Sequence, residues 1–464
     1  MKISLNGVIR IEDYTSEIVE FLNDNLVIEN KEYQKLMKLH LPNYRHIKPT
    51  INLFAVVGNI CYLPFGFFNE LCVYLFNKNL YSSVEFINNT VDNASASITD
   101  TIKLYDYQEK CVNEVLKHKN GIIKAKCGSG KTLMALKLIS SLNKKTLWIT
   151  HTHTLLKQTK EVASSVLKCD IGTITEGKVN IGKDLTIATI QTLYRMDLTL
   201  IKNYFSVIVI DEAHRFLGTD YTKYNMATKV LSNLNARYRF GLTATPKDDN
   251  KNDFTCLKAL LGDIIYTIEN KDIKDKIINA TLELVETKCY LELEKITNLD
   301  GTFNYNNFLN EIASNEVRNK NIAKKINYYY HLDKKQIVLC LRLEQVDNIV
   351  EMVRKLYPNI KVASTNESDK ISKNYNCLVA TYQKIKEGFD DKELDVLHMV
   401  APVKDKVSIV QSIGRIERNY EGKEKPLALY YLDNVSYSLS CYKKIKKILK
   451  ENELWKKIIY LELH

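Results

Sequence analysis

Short apolar runs alternate with longer amphipathic stretches from about residue 98 to the end of the chain. The first group of apolar runs is GIIKA, TLWIT, LTIAT, FSVIVID and RFGLTAT, and the second group is QIVLCL, CLVAT and VLHMVA. Buried strands separated by helical segments are typical of parallel sheets covered by helices. The pattern therefore predicts an α/β fold with two parallel-sheet lobes in tandem, over residues 98–270 and 271–464.

The residues before the first lobe follow a different pattern. The polar stretch NNTVDNASASITD, residues 88–100, is typical of a linker or loop. It separates residues 1–95, for which we predict a small α+β accessory domain. The apolar window INLFAVVGNICYLPFGFF within that domain is shorter than the ~20 apolar residues that cross a bilayer. We therefore expect this window to form buried strands.

The second lobe carries two further features. A segment of mixed period surrounds the turn residues Asp300 and Gly301, and it predicts a hairpin insert near residues 289–308. The tail SCYKKIKKILKENELWKKIIYLELH predicts a basic C-terminal helix that packs on the lobe with a solvated lysine face, and contact with a nucleic-acid strand is the alternative.

Composition adds a preference for a polyanionic partner. The chain has 464 residues with 66 Lys+Arg against 55 Asp+Glu, a net charge of +11, which suits nucleic acid. The ten cysteines include no CxxC pair, so we expect reduced thiols and no zinc site. The N-terminus lacks a basic-then-apolar signal pattern, and we expect a cytoplasmic protein without a membrane partner.

The segment AKCGSGKT follows a predicted strand and opens a predicted helix. Glycines in such a loop let backbone N–H groups approach phosphates, and the helix N-terminus adds positive potential. Lys131 is placed to reach the β- and γ-phosphates, and the Thr132 hydroxyl to ligate Mg²⁺. The usual pattern has glycine where this chain has Ala125. The residues expected to hold the phosphates are Gly128, Ser129, Gly130, Lys131 and Thr132.

The segment VIVIDEAH supplies the acidic groups that ATP hydrolysis needs. Asp211 and Glu212 follow four apolar residues, and the carboxyl ends of strands are where ligand sites lie in open α/β sheets. We expect Asp211 to hold Mg²⁺ and Glu212 to orient and deprotonate the attacking water. The DEAH segment favours hydrolysis by water over a GTPase switch or a kinase.

In their order along the chain these motifs resemble those of superfamily 2 helicases and translocases, over about residues 100–430. The resemblance implies two RecA-like lobes, ATP and Mg²⁺ as cofactors, and an AxxGxGKT variant that accounts for Ala125. It implies that Gln108 in LYDYQ contacts the adenine edge. It also implies nucleic-acid contacts at Thr150, Gln191, Thr192 and Thr381. Coupling of hydrolysis to strand movement is implied for His214, Thr243 and Thr245.

The resemblance also assigns roles in the second lobe. Within LVATYQKIKEGFD, Gly388 and Asp390 are implied in nucleotide binding. Within QSIGRIER, Gln411 is implied near the phosphates, and Arg415 and Arg418 are implied to stabilise the γ-phosphate from across the cleft. Because these arginines lie on the other lobe, full catalysis would require closure of the two lobes.

Within the superfamily the chain resembles UvsW-type bacteriophage enzymes and their RecG- and XPB-like relatives. QSIGRIER begins with Gln where RNA helicases of the DEAD type usually have His. SNEVRNKNIAKKI is similar to the segment that enters the second lobe in these enzymes. LPFG in the accessory domain resembles their LPRG, with Phe65 in place of the arginine. Lys35, Lys38, Arg45 and Lys48 form either a duplex-binding face or a solvated basic surface.

These observations predict an ATP-dependent DNA helicase or translocase that unwinds or branch-migrates branched DNA such as forks, Holliday junctions, D-loops and R-loops. We expect it to act as a monomer, with RNA as an alternative partner. Two other functions stay open: an RNA helicase or viral transcript-release factor, and a motor subunit of a restriction or defence complex. The absence of a nuclease motif and the end of the chain soon after the second lobe favour a free-standing motor.

Overall fold

The computed structural model describes residues 1–40, 42–126, 128–216, 221–246, 250–273, 278–367, 374–386, 391–420, 422–451 and 458–460. The chain divides into two compact units, Met1–Glu269 and Asn270–His464. Both units combine helices with parallel sheets, which confirms the predicted α/β class. Among the described helices, none has the length and apolar character that crossing a bilayer requires.

The first unit begins with a small α+β assembly. Its elements are β1 (Lys2–Leu5), β2 (Val8–Glu12), α1 (Ser16–Leu26), β3 (Val27–Glu29), α2 (Lys31–Lys38), β4 (Thr50–Asn52), β5 (Ala55–Val57), β6 (Ile60–Pro64), α3 (Phe68–Asn77) and β7 (Glu85–Asn88). Within the described residues, five strands form one sheet in the order β5–β6–β2–β1–β7. Alternate residues of β1 and β2 are buried, because successive side chains of a strand point to opposite faces.

The apolar window around β5 and β6 forms strands, but only part of it is buried. β6 alternates between buried and half-buried residues, as we expected. β5 lies at the sheet edge, and Val56 and Val57 are 46% and 63% exposed. The expectation of buried strands is therefore wrong for β5, because an edge strand has a neighbour on one side only.

A large parallel sheet forms the rest of the first unit. Its elements are β8 (Thr99–Asp100), α4 (Asp106–Val115), β9 (Asn120–Lys124), α5 (Lys131–Leu142), β10 (Thr146–Thr150), α6 (His153–Val166), β11 (Leu167–Lys168), β12 (Ile171–Thr175), β13 (Lys178–Asn180), β14 (Leu185–Thr189), α7 (Ile190–Arg195), β15 (Val207–Ile210), α8 (Tyr221–Ser232), β16 (Tyr238–Thr243), α9 (Lys251–Leu261) and β17 (Ile264–Thr267). Within the described residues, the strand order is β13–β12–β14–β10–β15–β16–β9–β17, and only β13 is antiparallel to its neighbour. Every residue of β10, β14 and β15 is buried, which explains their continuous apolar runs.

The segment predicted as a linker lies along the amino end of this sheet. Val91 forms a parallel bridge with Ala236, and Ser95 forms an antiparallel bridge with Lys144. β8 then pairs with β11. These contacts attach the segment to the first lobe along its length.

A buried arginine joins the accessory assembly to the large sheet. The Arg239 guanidinium donates to the carbonyl oxygens of Gly7 and Leu234 at 3.2 and 2.7 Å, and also to those of Asn6, Leu231 and Ala236. Cζ of Arg239 lies 3.9 Å from the centre of the Phe65 ring, which the guanidinium overlies. Burial lowers the pKa of Arg239 to about 9, so the residue stays charged at neutral pH. The Phe65 that replaces arginine in the LPRG pattern therefore serves an internal contact.

The backbones of the accessory assembly and the first lobe approach each other closely at Gly7. A Cβ on Gly7 would lie 1.8 Å from the carbonyl oxygen of Ser232 at the end of α8. The apolar residues of both parts also belong to one continuous core. The accessory assembly and the first lobe therefore form one compact unit.

The second unit contains another parallel sheet. Its elements are β18 (Thr281–Glu286), α10 (Tyr305–Ser314), α11 (Glu316–Tyr330), β19 (Gln336–Cys340), α12 (Leu343–Leu356), β20 (Val362–Ser364), β21 (Cys377–Thr381), α13 (Tyr382–Lys386), β22 (Val396–Met399), α14 (Lys406–Ile416), β23 (Leu427–Leu432), α15 (Ser436–Glu451) and β24 (Ile458–Tyr460). Over the described part of this unit, the order is β20–β21–β19–β22–β23–β18–β24, and each adjacent pair is parallel. α15 covers the first part of the tail that we predicted as a basic C-terminal helix, whereas Ile458–Tyr460 form the strand β24.

The predicted hairpin insert has less regular structure than a two-stranded ladder. A short helical turn spans Leu293–Ile296, and one antiparallel bridge joins Thr297 to Phe303 around the Asp300–Gly301 turn. α10 follows directly, and its first turn is capped by the Asn304 side chain. The insert is thus one bridged turn that leads into a helix.

Two buried polar contacts fix the second sheet. Arg318 at the start of α11 pairs with Asp433 after β23 at 2.7 Å, and both side chains are fully buried. His398 in β22 lies between the Tyr431 hydroxyl and the Gln336 side-chain carbonyl, each at 2.9 Å. The imidazole can satisfy both neighbours while neutral, since Nδ1 accepts from Tyr431 and Nε2–H donates to Gln336. Burial lowers the pKa of His398 to about 3.

We expect Arg239→Met to loosen the accessory assembly. The substitution leaves several buried carbonyl oxygens without their donor, at a cost of roughly 2 kcal/mol or more. Limited proteolysis should cut the variant faster within residues 1–95, and calorimetry should show a lower unfolding temperature. Arg237→Met, at a more exposed neighbouring arginine, is the control. Equal stability of the two variants would contradict the role of Arg239.

His398 should make stability fall with acid. The unfolded residue has a pKa near 6.5, above the folded value of about 3. Below about pH 6.5 the unfolded chain therefore binds the extra proton, so stability is full above that pH and is lost as pH falls toward 3. His398→Gln keeps one donor and one acceptor, and it should flatten the pH dependence of the unfolding temperature between pH 7 and 5. His331→Gln, at an exposed histidine, should leave that slope unchanged; an equal slope in all three proteins would rule out this assignment.

Candidate active site

The parallel register gathers the predicted ATP-binding motifs at one edge of the first sheet. β9 pairs with β16, and β16 pairs with β15, all in parallel. The loops that follow these three strands contain the phosphate loop, the TAT segment and the DEAH segment. Because carboxyl ends of parallel strands meet at the same edge, residues more than one hundred positions apart become neighbours.

The phosphate loop has the backbone shape that its glycines predict. Gly128 and Gly130 adopt φ values of 82° and 80°, in the left-handed region that favours glycine. Gly130 is the N-cap of α5, so the free N–H groups of the helix begin at Lys131. The Ser129 hydroxyl donates to the Lys126 carbonyl at 2.7 Å and tightens the turn. These features give the start of α5 a backbone geometry suited to an anion.

Gln108 is hydrogen-bonded to the phosphate loop. Its side-chain amide donates to the Ser129 carbonyl at 2.9 Å, and its side-chain oxygen accepts from the Tyr105 N–H at 3.0 Å. The side chain is 2% exposed. A Cβ on Gly130 would lie 2.3 Å from the amide nitrogen of Gln108. The structure thus gives Gln108 a loop-positioning contact, and contact with adenine stays a prediction.

Tyr107 is a loop-supporting residue that the sequence did not indicate. Its hydroxyl donates to the same Ser129 carbonyl at 3.0 Å. The one available signal was its position next to Gln108 in LYDYQ. A tyrosine in such a segment cannot be distinguished from a surface or core residue without the fold.

The positive charge of Lys131 acts on the buried carboxylate of Asp211. The Lys131 ammonium donates to the carbonyl oxygens of Ala125 and Lys126 at 3.1 and 3.2 Å. Asp211 is only 7% exposed. Burial and then the charge of Glu212 raise the pKa of Asp211 above its ordinary value, while Lys131 opposes the rise. A buried carboxylate of this kind gains stability from a further cation.

The oxygen donors at this edge fit Mg²⁺. Thr132, in the first turn of α5, offers a hydroxyl, and Asp211 offers a carboxylate. Such hard oxygen ligands, together with water and phosphate, are those that Mg²⁺ prefers in nucleotide sites. Within the described residues no group of three or more His, Cys, Asp or Glu side chains forms a metal cluster, so an ion here would depend on the phosphates for further ligands.

A polar chain joins the DEAH segment to the TAT segment. Glu212 adopts φ 47°, a sparsely populated conformation for a residue with a side chain, and its N–H donates to Asp211. The Glu212 carboxylate lies 3.4 Å from Nδ1 of His214, and the same ring nitrogen lies 2.9 Å from the Thr243 hydroxyl. That hydroxyl accepts from the Thr245 N–H at 3.1 Å. The three residues predicted to couple hydrolysis to movement are therefore in one contact chain.

The predicted nucleic-acid residues of the first lobe are also brought together, but not all are accessible. Thr150 at the end of β10 is fully buried, and its hydroxyl donates to the carbonyl of Ala188 at 3.3 Å. A nucleic-acid contact at this strand end would therefore have to come from neighbours of Thr150. Gln191 is half-buried and donates to the His151 carbonyl at 2.9 Å, and the Thr192 hydroxyl is 2.9 Å from that of Thr189.

The second unit holds the other predicted residues. Thr381 ends β21, and its hydroxyl accepts from the Lys384 N–H at 3.3 Å. Gln411 is buried in α14, which also carries the half-buried Arg415. Arg418 follows that helix and is half-buried as well. Gly388 and Asp390 lie outside the described residues.

Comparison with known proteins finds helicases and translocases among the similar proteins. A profile described as "Type III restriction enzyme, res subunit" matches residues 101–248, the span that holds the phosphate loop, DEAH and TAT. DNA 3'-5' translocase XPB2 of Sulfurisphaera tokodaii is 34% identical over 225 residues, 48% of each chain. The matched part of the chain is similar to superfamily 2 helicases and translocases. It spans about half the length of XPB2, and the DEAH-box subtype stays a prediction.

Two further superfamily likenesses cover more of the chain. Transcript termination protein A18 of Rabbit fibroma virus is 24% identical over 460 residues, 90% of this chain and 88% of A18. Dbp5 of S. cerevisiae, solved bound to RNA and ADP BeF3, matches with a TM-score of 0.55 at 13% identity, over 77% of this chain and 90% of Dbp5. At that identity the structural likeness bears on the fold alone, and it agrees with two RecA-like lobes.

We expect Gly130→Ala to weaken ATP binding at least tenfold, because a methyl group at this position displaces Gln108 from the loop as well as straining the backbone. Gly177→Ala is the matched control, since Gly177 has φ 75° and an added Cβ would have nothing within 4 Å. Titration with a fluorescent ATP analogue measures both variants. Equal affinities would mean that the Gln108 contact does not shape the loop.

Proposed function

We propose that the chain is an ATP-dependent DNA helicase or translocase that unwinds or branch-migrates branched DNA. The observation that carries the proposal is the contact chain from Glu212 through His214 to Thr243 and Thr245, beside the phosphate loop. It joins Glu212, which is suited to activating water, to the TAT segment at the end of the adjacent strand β16. A simple ATPase has no need of such a link.

The proposed chemistry is hydrolysis of the γ-phosphate by water. The backbone N–H groups at Gly130 and Lys131 bind the phosphates, and the Lys131 ammonium moves from loop carbonyls to phosphate oxygens. Thr132 and Asp211 would hold Mg²⁺, whose charge would stabilise the phosphate oxygens. Glu212 orients the attacking water and accepts its proton.

The second unit would contribute cations to the same reaction. Arg415 and Arg418 are proposed to stabilise charge on the γ-phosphate, with Gln411 nearby. Arginines in this role can raise the rate ~10³- to 10⁵-fold. Dependence of the rate on both units would make ATP binding and product release drive changes in lobe arrangement, and hence movement along a strand.

XPB2, which is 34% identical to this chain, is named as a DNA translocase, and this favours DNA as the partner. The positive surplus of the chain supports a polyanion of either kind. A transcript-release activity is the second candidate, because A18 matches nearly the whole length of both chains. Motor function within a restriction complex has support from the family description at residues 101–248.

The deciding experiment measures ATP turnover without nucleic acid and with single-stranded DNA, duplex DNA, a four-way DNA junction and RNA. We expect the junction to give the largest stimulation, together with ATP-dependent separation of its arms. Glu212→Gln is the control, since it should still bind ATP but lose turnover by at least 100-fold.

Each alternative has its own result. Stimulation by RNA alone would replace the DNA proposal with an RNA helicase. Release of a transcript from a stalled polymerase without junction separation would favour the transcript-release activity. ATP turnover that none of these nucleic acids changes would contradict the DNA proposal, the RNA helicase and the transcript-release activity alike.

A further inference from the structure

The bridged insert of the second unit carries an aromatic cluster. Phe303 stacks on Tyr437, with ring centres 5.3 Å apart and planes 17° apart. Tyr305 lies 5.1 Å from Tyr437 at a tilt of 52°. Beneath them Phe308 is fully buried and lies 5.5 Å from Phe303. Phe303, Tyr305 and Tyr437 are called the aromatic platform below.

The platform is open to solvent. Phe303 and Tyr305 are 37% and 38% exposed, although aromatic rings of this size are mostly buried in folded proteins. Phe303 and Tyr437 both pack on Phe308, which belongs to the small core below the insert. More than a third of Phe303 and of Tyr305 nevertheless stays exposed, and this exposed ring surface is available to a partner.

Positive side chains border the platform. The Lys404 ammonium lies 4.1 Å from the centre of the Tyr437 ring, within the range of a cation–π contact. Arg342 donates to the Asn306 side chain at 3.0 Å. A ring surface next to a lysine and an arginine is complementary to an aromatic group that carries negative charge, as a nucleotide does.

The location agrees with this complementarity. Lys404 follows β22, Tyr437 follows β23 and Arg342 follows β19, so all three lie at the carboxyl edge of the second sheet. Thr381, a predicted nucleic-acid residue, ends β21 at the same edge. In the parallel order β21–β19–β22–β23, this edge is continuous from Thr381 to the platform.

The insert is held in shape before any ligand binds. The Asp300 carboxylate accepts from the N–H and the hydroxyl of Thr302, at 3.0 and 2.6 Å. The Asn304 side chain donates to that of Asn298 at 2.7 Å. Pre-formed shape lowers the entropy cost of binding, so an exposed ring here is suited to stacking on a partner.

We propose that the aromatic platform stacks on one or two bases of a single strand, with Lys404 near the adjoining phosphate. The inference rests on the proposed function, since it assumes that a nucleic acid lies along this edge. It adds a contact with the bases to a proposed function that so far relies on contacts with the phosphates. Stacking accepts any base, so the platform would grip a strand without selecting its sequence.

The test compares a single-stranded DNA with an abasic strand of the same length and charge, bound to the full chain without ATP. Stacking on one base is worth ~1–3 kcal/mol, so the wild-type chain should bind the base-bearing strand about fivefold more tightly, or better. Tyr305→Leu and Phe303→Leu should remove most of that preference. The salt dependence of binding should stay the same, because it counts phosphate contacts.

Two further variants separate stacking from structural damage. Tyr305→Phe keeps the ring and should keep the preference. Tyr328→Leu removes a tyrosine that is 56% exposed, lies 5.5 Å from the Lys325 ammonium and is near the end of α11, away from the carboxyl edge. It should leave the preference unchanged. Should the leucine variants unfold, quenching of 2-aminopurine in a strand bound to the wild-type chain measures stacking directly.

The outcomes are distinct. A wild-type chain that binds both strands equally, or does not quench 2-aminopurine, overturns the platform and leaves the proposed function standing. Leucine variants that weaken both strands by the same factor also overturn it, since the rings would then be structural. A wild-type chain that binds neither strand contradicts the proposed function itself.

Discussion

The parallel alignment of the strands is the constraint on which the candidate active site depends. β9, β16 and β15 lie side by side in one direction, so the loops after them meet at one edge. Hydrogen bonds between strands fix this register, and fully buried strands cannot slip without exposing apolar side chains. The same arrangement recurs in the second unit, where the loops after β21, β19, β22 and β23 share an edge.

Buried polar groups then determine what each edge can do. Asp211 is held where burial and Glu212 raise its pKa, which favours the arrival of a cation. Gln108 uses its amide to hold the phosphate loop, and Arg239 uses its guanidinium to hold the accessory assembly. Desolvation makes each of these groups costly to leave unpaired, so each fixes a geometry more strictly than an apolar contact would.

Prediction from sequence worked where local pattern and burial coincide. GIIKA, TLWIT and LTIAT match the strands β9, β10 and β14, in which every residue is buried except Lys124 at the end of β9. It worked less well where the burial of a residue depends on which strands lie next to it in the sheet. Val56 and Val57 are exposed on the edge strand β5, whereas Thr150 is fully buried beside β14, where its hydroxyl donates to the Ala188 carbonyl. The insert formed one bridge because its turn leads straight into α10.

Sequence alone was enough to predict the α/β class, the glycine-rich loop and the acidic strand end, because each depends on residues that are adjacent or follow a fixed period. Tertiary structure alone decided which distant groups touch. It joined His214 to Thr243, set Arg239 against Gly7 and placed Tyr437 under Phe303 and Tyr305. Such contacts follow from the order and register of strands, which the free energy of the whole fold selects and no local pattern encodes.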